Sequence, residues 1–202
     1  MVERPSVLIE HWLPIAELGV ECQREGGTGK HPPLNRLHVW WARRPLAVSG
    51  AAVLGSVLPA WSPEWPKKLR EQFAKEKGIK LPGNPYGYPR AFTISPDEGQ
   101  IRTLHNLLEY TWGTRDLSVM DPMAGGGSIP FEALRYGFTT YANELNPVAS
   151  IILKATLDYP AMFGEELGNE IRKYGNLVAS EVKKRLELYF PIRPDESVHA
   201  YI

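Results

Sequence analysis

Residues 117–149 read LSVMDPMAGGGSIPFEALRYGFTTYANELNPVA. The order of residue types predicts a strand, a glycine-rich turn, a helix, a second strand and an acidic residue. Leu117 to Met120 form a short apolar run ending on Asp121, which reads as a buried strand. Gly125, Gly126 and Gly127 follow, and they let backbone amides approach a ligand with no Cβ in the way. A helix is predicted over 129–136, stopping at Gly137, and a second strand over 138–142. Glu144 stands 23 positions after Asp121. That is close to the roughly 20-residue spacing at which a carboxylate reaches a ribose. The stretch is half of a nucleotide-binding α/β unit.

Two familiar phosphate-binding patterns fail on these residues. A dinucleotide turn needs G-x-G-x-x-G, and the third position here is Pro130. A phosphate-binding P-loop needs a glycine-lysine pair followed by Ser or Thr after a strand. The pair Gly29-Lys30 is followed by His31 and follows no strand signal.

Outward from this unit the chain reads mostly as helix. Apolar positions from Val7 to Cys22 recur at helical spacing over 6–25, and Pro14 kinks or divides that helix. Residues 26–35 are a loop by composition. Residues 45–58 form a helix of small and apolar residues opened by Pro45, and Gly50, Ala51, Ala52 and Gly55 allow another backbone close. Ser62-Pro63 caps a charged helix to about Lys77, and 78–94 is a Gly/Pro-rich loop. Ser95-Pro96-Asp97-Glu98 reads as a capping box with Ser95 at the cap, leading a helix to about Trp112. Helices are also predicted over 147–158 and 163–189. The predicted fold class is α/β, with a mainly helical region over 1–95 and the first βαβ elements of an incomplete Rossmann-like sheet over 96–202.

The 202 residues carry 23 Lys plus Arg and 23 Asp plus Glu. The balance excludes a globally basic nucleic-acid protein and an acidic disordered chain. It conceals an uneven distribution. Residues 24–90 hold twelve Lys/Arg against four Glu, and the flanking segments are acidic. Four of the six tryptophans, Trp40, Trp41, Trp61 and Trp65, lie in the same basic third. Cations interleaved with aromatics suit a polyanion with stackable bases, although a charge run such as Lys67 to Lys80 is more usually a solvated helix face. Cys22 is the one cysteine, so neither a disulfide framework nor a multi-cysteine zinc site is expected. The chain has no run of 18 apolar residues, and charges interrupt its first twelve residues. Neither a membrane span nor a signal peptide is expected, which points to the cytoplasm.

Asp121-Pro122-Met123-Ala124-Gly125-Gly126-Gly127 resembles the D-P-F-x-G-x-G signature of S-adenosylmethionine-dependent amino-methyltransferases, with Met123 in place of the usual Phe. A second segment is more specific. His38-Val39-Trp40-Trp41-Ala42-Arg43-Arg44-Pro45-Leu46-Ala47 is similar to the H-x-W-W-A-R-[RK]-P-L-A signature of a family of large adenine-specific DNA methylases. Those proteins carry an N-terminal domain of unknown function ahead of the cofactor signature. LIEHWLPIAELGVECQRE, GSIPFEALRYG and ELNPVA resemble the same family. The resemblance covers essentially the whole chain. It implies S-adenosyl-L-methionine as cofactor, held by Asp121, Pro122, Met123, Ala124, Gly125, Gly127, Glu144 and Asn146, with Glu144 on the ribose hydroxyls. It implies DNA as partner, met by Trp40, Trp41, Arg43 and Arg44. Arg43 and Arg44 have the forked geometry for phosphates or a carboxylate. Trp40 and Trp41 can stack on a base or on the cofactor's adenine. The tryptophans can equally be packing anchors and one arginine can serve a buried ion pair.

The resembled family orients its target amine with [DNS]-P-P-[YFW]. No such string occurs in these 202 residues. Asn84-Pro85-Tyr86 is nearest but lacks the second proline and precedes the cofactor signature, and Asn146-Pro147 reads as a helix cap with no aromatic beside it. No catalytic residue is therefore expected in this sequence. The resemblance implies an N-terminal piece, completed by a C-terminal catalytic half or a partner chain. An exposed sheet edge would also favour a homo-oligomer. Two rivals remain at this level. DPMAGGGSIPFE is close to the D-P-M-C-G-S-G-T-I-x-x-E signature of RNA guanine-N2 methyltransferases. A non-catalytic DNA-binding or assembly subunit would need no catalytic motif at all.

Overall fold

Pro14 divides the first predicted helix. In the computed structural model, Leu8–Glu10 form a single 3-10 turn and α1 begins only at Ile15, running to Gly26. Proline lacks the N–H that a continuous helix would need at that position. The structure describes residues 5–27, 32–60, 64, 66–68, 91–187 and 189. Gly29-Lys30, Trp61, Trp65, Asn84-Pro85-Tyr86 and most of the charged helix predicted from Ser62 to Lys77 lie outside them.

Pro45 precedes α2 (Leu46–Val57), and α3 spans Glu98–Trp112. The cap of α3 is Asp97 rather than Ser95. The Asp97 carboxylate accepts the Gln100 N–H at 2.8 Å, and the Gln100 side chain accepts the Asp97 N–H at 3.0 Å. Asp97 prevails because this reciprocal pair satisfies two donors at the helix start. Then come β1 (Ser118–Asp121), α4 (Ser128–Arg135), β2 (Thr139–Ala142) and α5 (Pro147–Leu153). Lys154–Asp158 wind as a π-helical turn, which shortens the helix predicted over 147–158. The last helix, α6 (Tyr159–Leu186), is interrupted at Gly164.

The two strands pair in parallel, with Ser118 opposite Thr139 and Asp121 opposite Ala142. A parallel pair needs a crossover, and α4 supplies it. The described residues are thus mixed α/β, mostly helical, with a two-stranded parallel sheet.

The chain divides into two compact units, Met1–Leu157 and Asp158–Ile202. The first runs through residue 95, where the sequence reading divided the chain. Its core explains why. Val53 of α2 packs with Leu104 and Leu108 of α3, Ala133 of α4 and Phe138, so the N-terminal helices and the βαβ elements bury their apolar stripes against each other. A second cluster joins Leu34 and Leu46 to Ala124, Leu153 and Leu157. In the second unit, Ile171, Tyr174, Val178 and Val182 recur at helical spacing on α6 and are exposed. Among the described residues no helix is long and apolar enough to cross a membrane.

A polar knot sits inside the first unit. A Cβ on Gly50 would lie 2.9 Å from Glu132 Oε2 and 3.2 Å from Tyr136 Oη, so the missing side chain makes room for a carboxylate and a phenol. Gly55 similarly admits the Ile9 and Leu13 side chains. Glu132 is 2% exposed and pairs with Arg135 at 2.6 Å. Burial raises the Glu132 pKa, and the Arg135 charge only partly opposes it. Burial and the Glu132 charge push Tyr136 up to about 12. A carboxyl whose native pKa is raised binds its proton more tightly folded than unfolded. Its stabilising contribution is complete below the unfolded value, near 4.5, and is lost as pH rises through the native value. Glu132→Gln should therefore flatten the fall in stability on the alkaline side of that window. Urea midpoints of both proteins at pH 5 and pH 7.5 measure the difference, and parallel shifts in the two would refute it.

Candidate functional site

The site lies where β1 and β2 end. Asn143 N–H donates to the Asp121 carbonyl at 2.9 Å, and Ala124 N–H donates to the Asn143 carbonyl at 3.0 Å. The two chain segments leaving the strands are thereby tied together. The Asp121 side chain accepts the Met123 N–H at 3.1 Å, which starts the turn. Asn143 Nδ2 donates to the Pro122 carbonyl at 3.2 Å. Gly125 and Gly127 then take φ of +52° and +83°. That left-handed region disfavours residues with a Cβ.

Glu144 closes on this turn. Its Oε2 accepts the Gly125 N–H at 2.7 Å, and its Oε1 accepts Leu145 N–H at 2.9 Å and Asn146 N–H at 3.0 Å. These donors, the Asn146 amide first, hold the Glu144 pKa below the usual carboxylate value. The group is thus an ionised acceptor across the neutral range. Asn146 caps α5, its Oδ1 accepting Val148 N–H at 2.9 Å and Ala149 N–H at 3.4 Å. Its side chain faces the helix start rather than standing free for a ligand. Met123 and Leu145, one from each strand's exit, are 83% and 94% exposed.

The Trp/Arg segment meets this same turn. A Cβ on Gly125 would lie 2.8 Å from Trp40 Nε1, and one on Gly126 would lie 2.9 Å from Trp40 Cβ. Ser128 Oγ, at the start of α4, donates to the Arg44 carbonyl at 2.7 Å. Glu25, buried at the end of α1, accepts the Leu46 N–H with both carboxylate oxygens at 2.9 and 2.8 Å, and the Ala47 N–H at 3.3 Å. Residues 40–47 thus form a strap fastened to the glycine turn, to α4 and to α1.

The structure brings Asp121, Pro122, Ala124, Gly125, Gly127, Glu144 and Trp40 together. It separates the two tryptophans. Trp40 is half-buried against the turn, whereas Trp41 is 86% exposed, their ring centroids 6.3 Å apart. Arg43 is half-buried; Arg36, His38 and Arg44 are exposed. Glu25 and Ser128 were not read from sequence as parts of the site. Glu25 carried no signal, since its partners Leu46 and Ala47 lie more than 20 positions away. Ser128 had one, its place directly after the three glycines.

Does this site suit S-adenosylmethionine? The acceptor does. An ionised carboxylate matches a vicinal diol and two exposed apolar side chains flank the acid and the turn, while the amides of Met123, Ala124, Gly125 and Gly127 already donate within the protein. One feature limits the space. The open faces of Gly125 and Gly126 are occupied by Trp40, and the third glycine is packed as well, because a Cβ on Gly127 would lie 2.8 Å from Leu153 Cδ2. A ligand must therefore approach from the Glu144 side. Among the described residues no cluster of His, Cys, Asp and Glu is placed to hold a metal ion.

A family model described as "Protein of unknown function (DUF1156)" matches residues 12–81. That range takes in α1, the strap and α2, and stops short of the glycine turn. No curated protein and no solved structure matches the chain.

Proposed function

We propose that this chain is the S-adenosylmethionine-binding portion of an amino-methyltransferase with a Rossmann-like sheet, acting on adenine in DNA. The observation that carries the reading is the convergence of Glu144 on the Gly125 amide at the carboxyl end of a parallel strand pair. Open α/β sheets bind nucleotides at that end. When bound, the cofactor supplies an electrophilic methyl group. This chain's own residues hold and orient it. Glu144 accepts from the ribose diol, the glycine turn steadies that carboxylate through the Gly125 amide, and Met123 and Leu145 cover the cofactor's apolar surface. Trp41, Arg43 and Arg44 present an aromatic and two cations for DNA on the outer side of the strap. The reading assigns no catalytic residue to this chain, so turnover requires a polypeptide that carries [DNS]-P-P-[YFW].

Calorimetric titration with S-adenosylmethionine tests the proposal. Glu144→Ala should weaken binding about tenfold or more, since hydrogen bonds to a charged partner contribute about 1.5–3 kcal/mol. The proposal fails if the unmutated chain binds no cofactor even with a motif-bearing partner polypeptide supplied. With that partner, methyl transfer to duplex DNA but not to transfer RNA separates the adenine reading from the guanine-N2 one.

One observation favours a second reading, a non-catalytic DNA-binding subunit. The glycine faces are filled by the protein's own Trp40. Binding of duplex DNA with no binding of cofactor would establish that alternative.

A further inference from the structure

We propose that Trp40 is a positioning residue for the glycine turn. Its indole clamps Gly125 and Gly126 so that the Gly125 amide keeps its bond to Glu144 and holds that carboxylate in one orientation toward the ligand. The inference rests on the cofactor reading of the turn, and it separates the duties of the two adjacent tryptophans. Trp40 serves the cofactor side and Trp41 the outer surface.

No Cβ fits beneath Trp40 at either position. Trp40 Nε1 and Cδ1 would lie 2.8 and 3.2 Å from a Cβ on Gly125, and Trp40 Cβ 2.9 Å from one on Gly126. An indole can seat there only if both positions are glycine. A run of three glycines would otherwise be among the most freely moving segments a chain can have. Fixing one residue's backbone costs about 1–2 kcal/mol in entropy. A turn ordered before binding spares the ligand that cost.

The clamp is itself held on the C-terminal side of Trp40. Arg43 N–H donates to the Trp40 carbonyl at 3.2 Å, closing a turn. Ser128 Oγ anchors the Arg44 carbonyl at 2.7 Å. Glu25 anchors the Leu46 and Ala47 amides. Ser128 belongs to the glycine-turn motif and Arg44 to the strap motif, so the two sequence signatures mate as one device. Its output is the Gly125 amide, which points at the Glu144 carboxylate 2.7 Å away.

The test uses the 202-residue chain with Trp40→Ala, Trp40→Phe and Gly126→Ala. S-adenosylmethionine affinity is measured by calorimetry, and backbone amide exchange at Gly125 to Gly127 is followed without ligand. Trp40→Ala should weaken cofactor binding about tenfold and speed exchange of the turn amides. Trp40→Phe, which keeps a ring on the turn, should restore most of both. Gly126→Ala, pushing from the turn's side, should reproduce the loss if Trp40→Ala does not fold. Unchanged exchange overturns the clamp, as does wild-type affinity in Trp40→Ala. Should the unmutated chain bind no cofactor even with the motif-bearing partner polypeptide supplied, the ligand reading falls, while the exchange data still decide the clamp.

Discussion

Gly127→Ala should cost about 3 kcal/mol of stability. Two effects add at this position. Gly127 has φ of +83°, where an L-residue pays roughly 1–2 kcal/mol. Its Cβ would also lie 2.8 Å from Leu153 Cδ2 and 3.0 Å from Leu157 Cδ1. Those side chains are buried with Leu34, Leu46 and Ala124, so they have little room to retreat. Overpacking of this kind costs roughly 1–3 kcal/mol. The thermal midpoint should fall by about 10 °C, given about 2–4 °C per kcal/mol at this chain length. Leu157→Ala in the same chain should recover part of the overlap but none of the backbone cost. A Gly127→Ala protein melting within about 1 °C of the parent would show that the turn is free to rearrange, and the strand–turn–helix geometry would then need revision.

The same residue shows what could be read in advance. The glycine run, Asp121 and Glu144 announced a strand, a turn and a second strand because each needs a particular residue type at a particular place. The capping signal at 95–98 announced α3. What the three glycines are packed against could not be read. Trp40 lies 85 positions upstream of Gly125, and pairing over such a distance leaves no local trace. The sequence suggested that the glycines admit a ligand, whereas two of them admit Trp40 and the third admits Leu153 and Leu157. The capping box before α3 was displaced because Ser95 and Asp97 are both good caps, and only the reach of Gln100 decided between them. Nothing in the local sequence marks Glu132 and Glu25 as buried. Their burial follows from how α1, α2 and α4 meet, and helical period alone does not determine that.

Glu25 carries the second large effect. The first amides of a helix have no partner within it, and α2 begins after Pro45, whose side chain cannot accept a hydrogen bond. Glu25 fills that role from 21 positions upstream, taking the Leu46 N–H on both oxygens. It is 4% exposed, so water cannot readily replace it. Glu25→Ala should therefore cost about 3 kcal/mol, from lost charge-assisted bonds and from amides left unsatisfied in the interior. An opposing effect is present. The Glu25 charge raises the pKa of Glu132, so its removal eases a repulsion between buried acids. Glu25→Gln separates the two contributions. It removes the repulsion, keeps one accepting oxygen, and turns an NH2 group toward a donor. Urea unfolding at pH 7 should place it between Glu25→Ala and the parent, with a smaller pH dependence than the parent. Because Leu46 and Ala47 close the strap that starts at Trp40, both variants should also loosen the indole on the glycine turn, raising turn-amide exchange in proportion to the stability lost. If Glu25→Ala left stability within about 0.5 kcal/mol, the range usual for exposed surface substitutions, the carboxylate would not be the cap of α2, and the strap would be held by Ser128 and Trp40 alone.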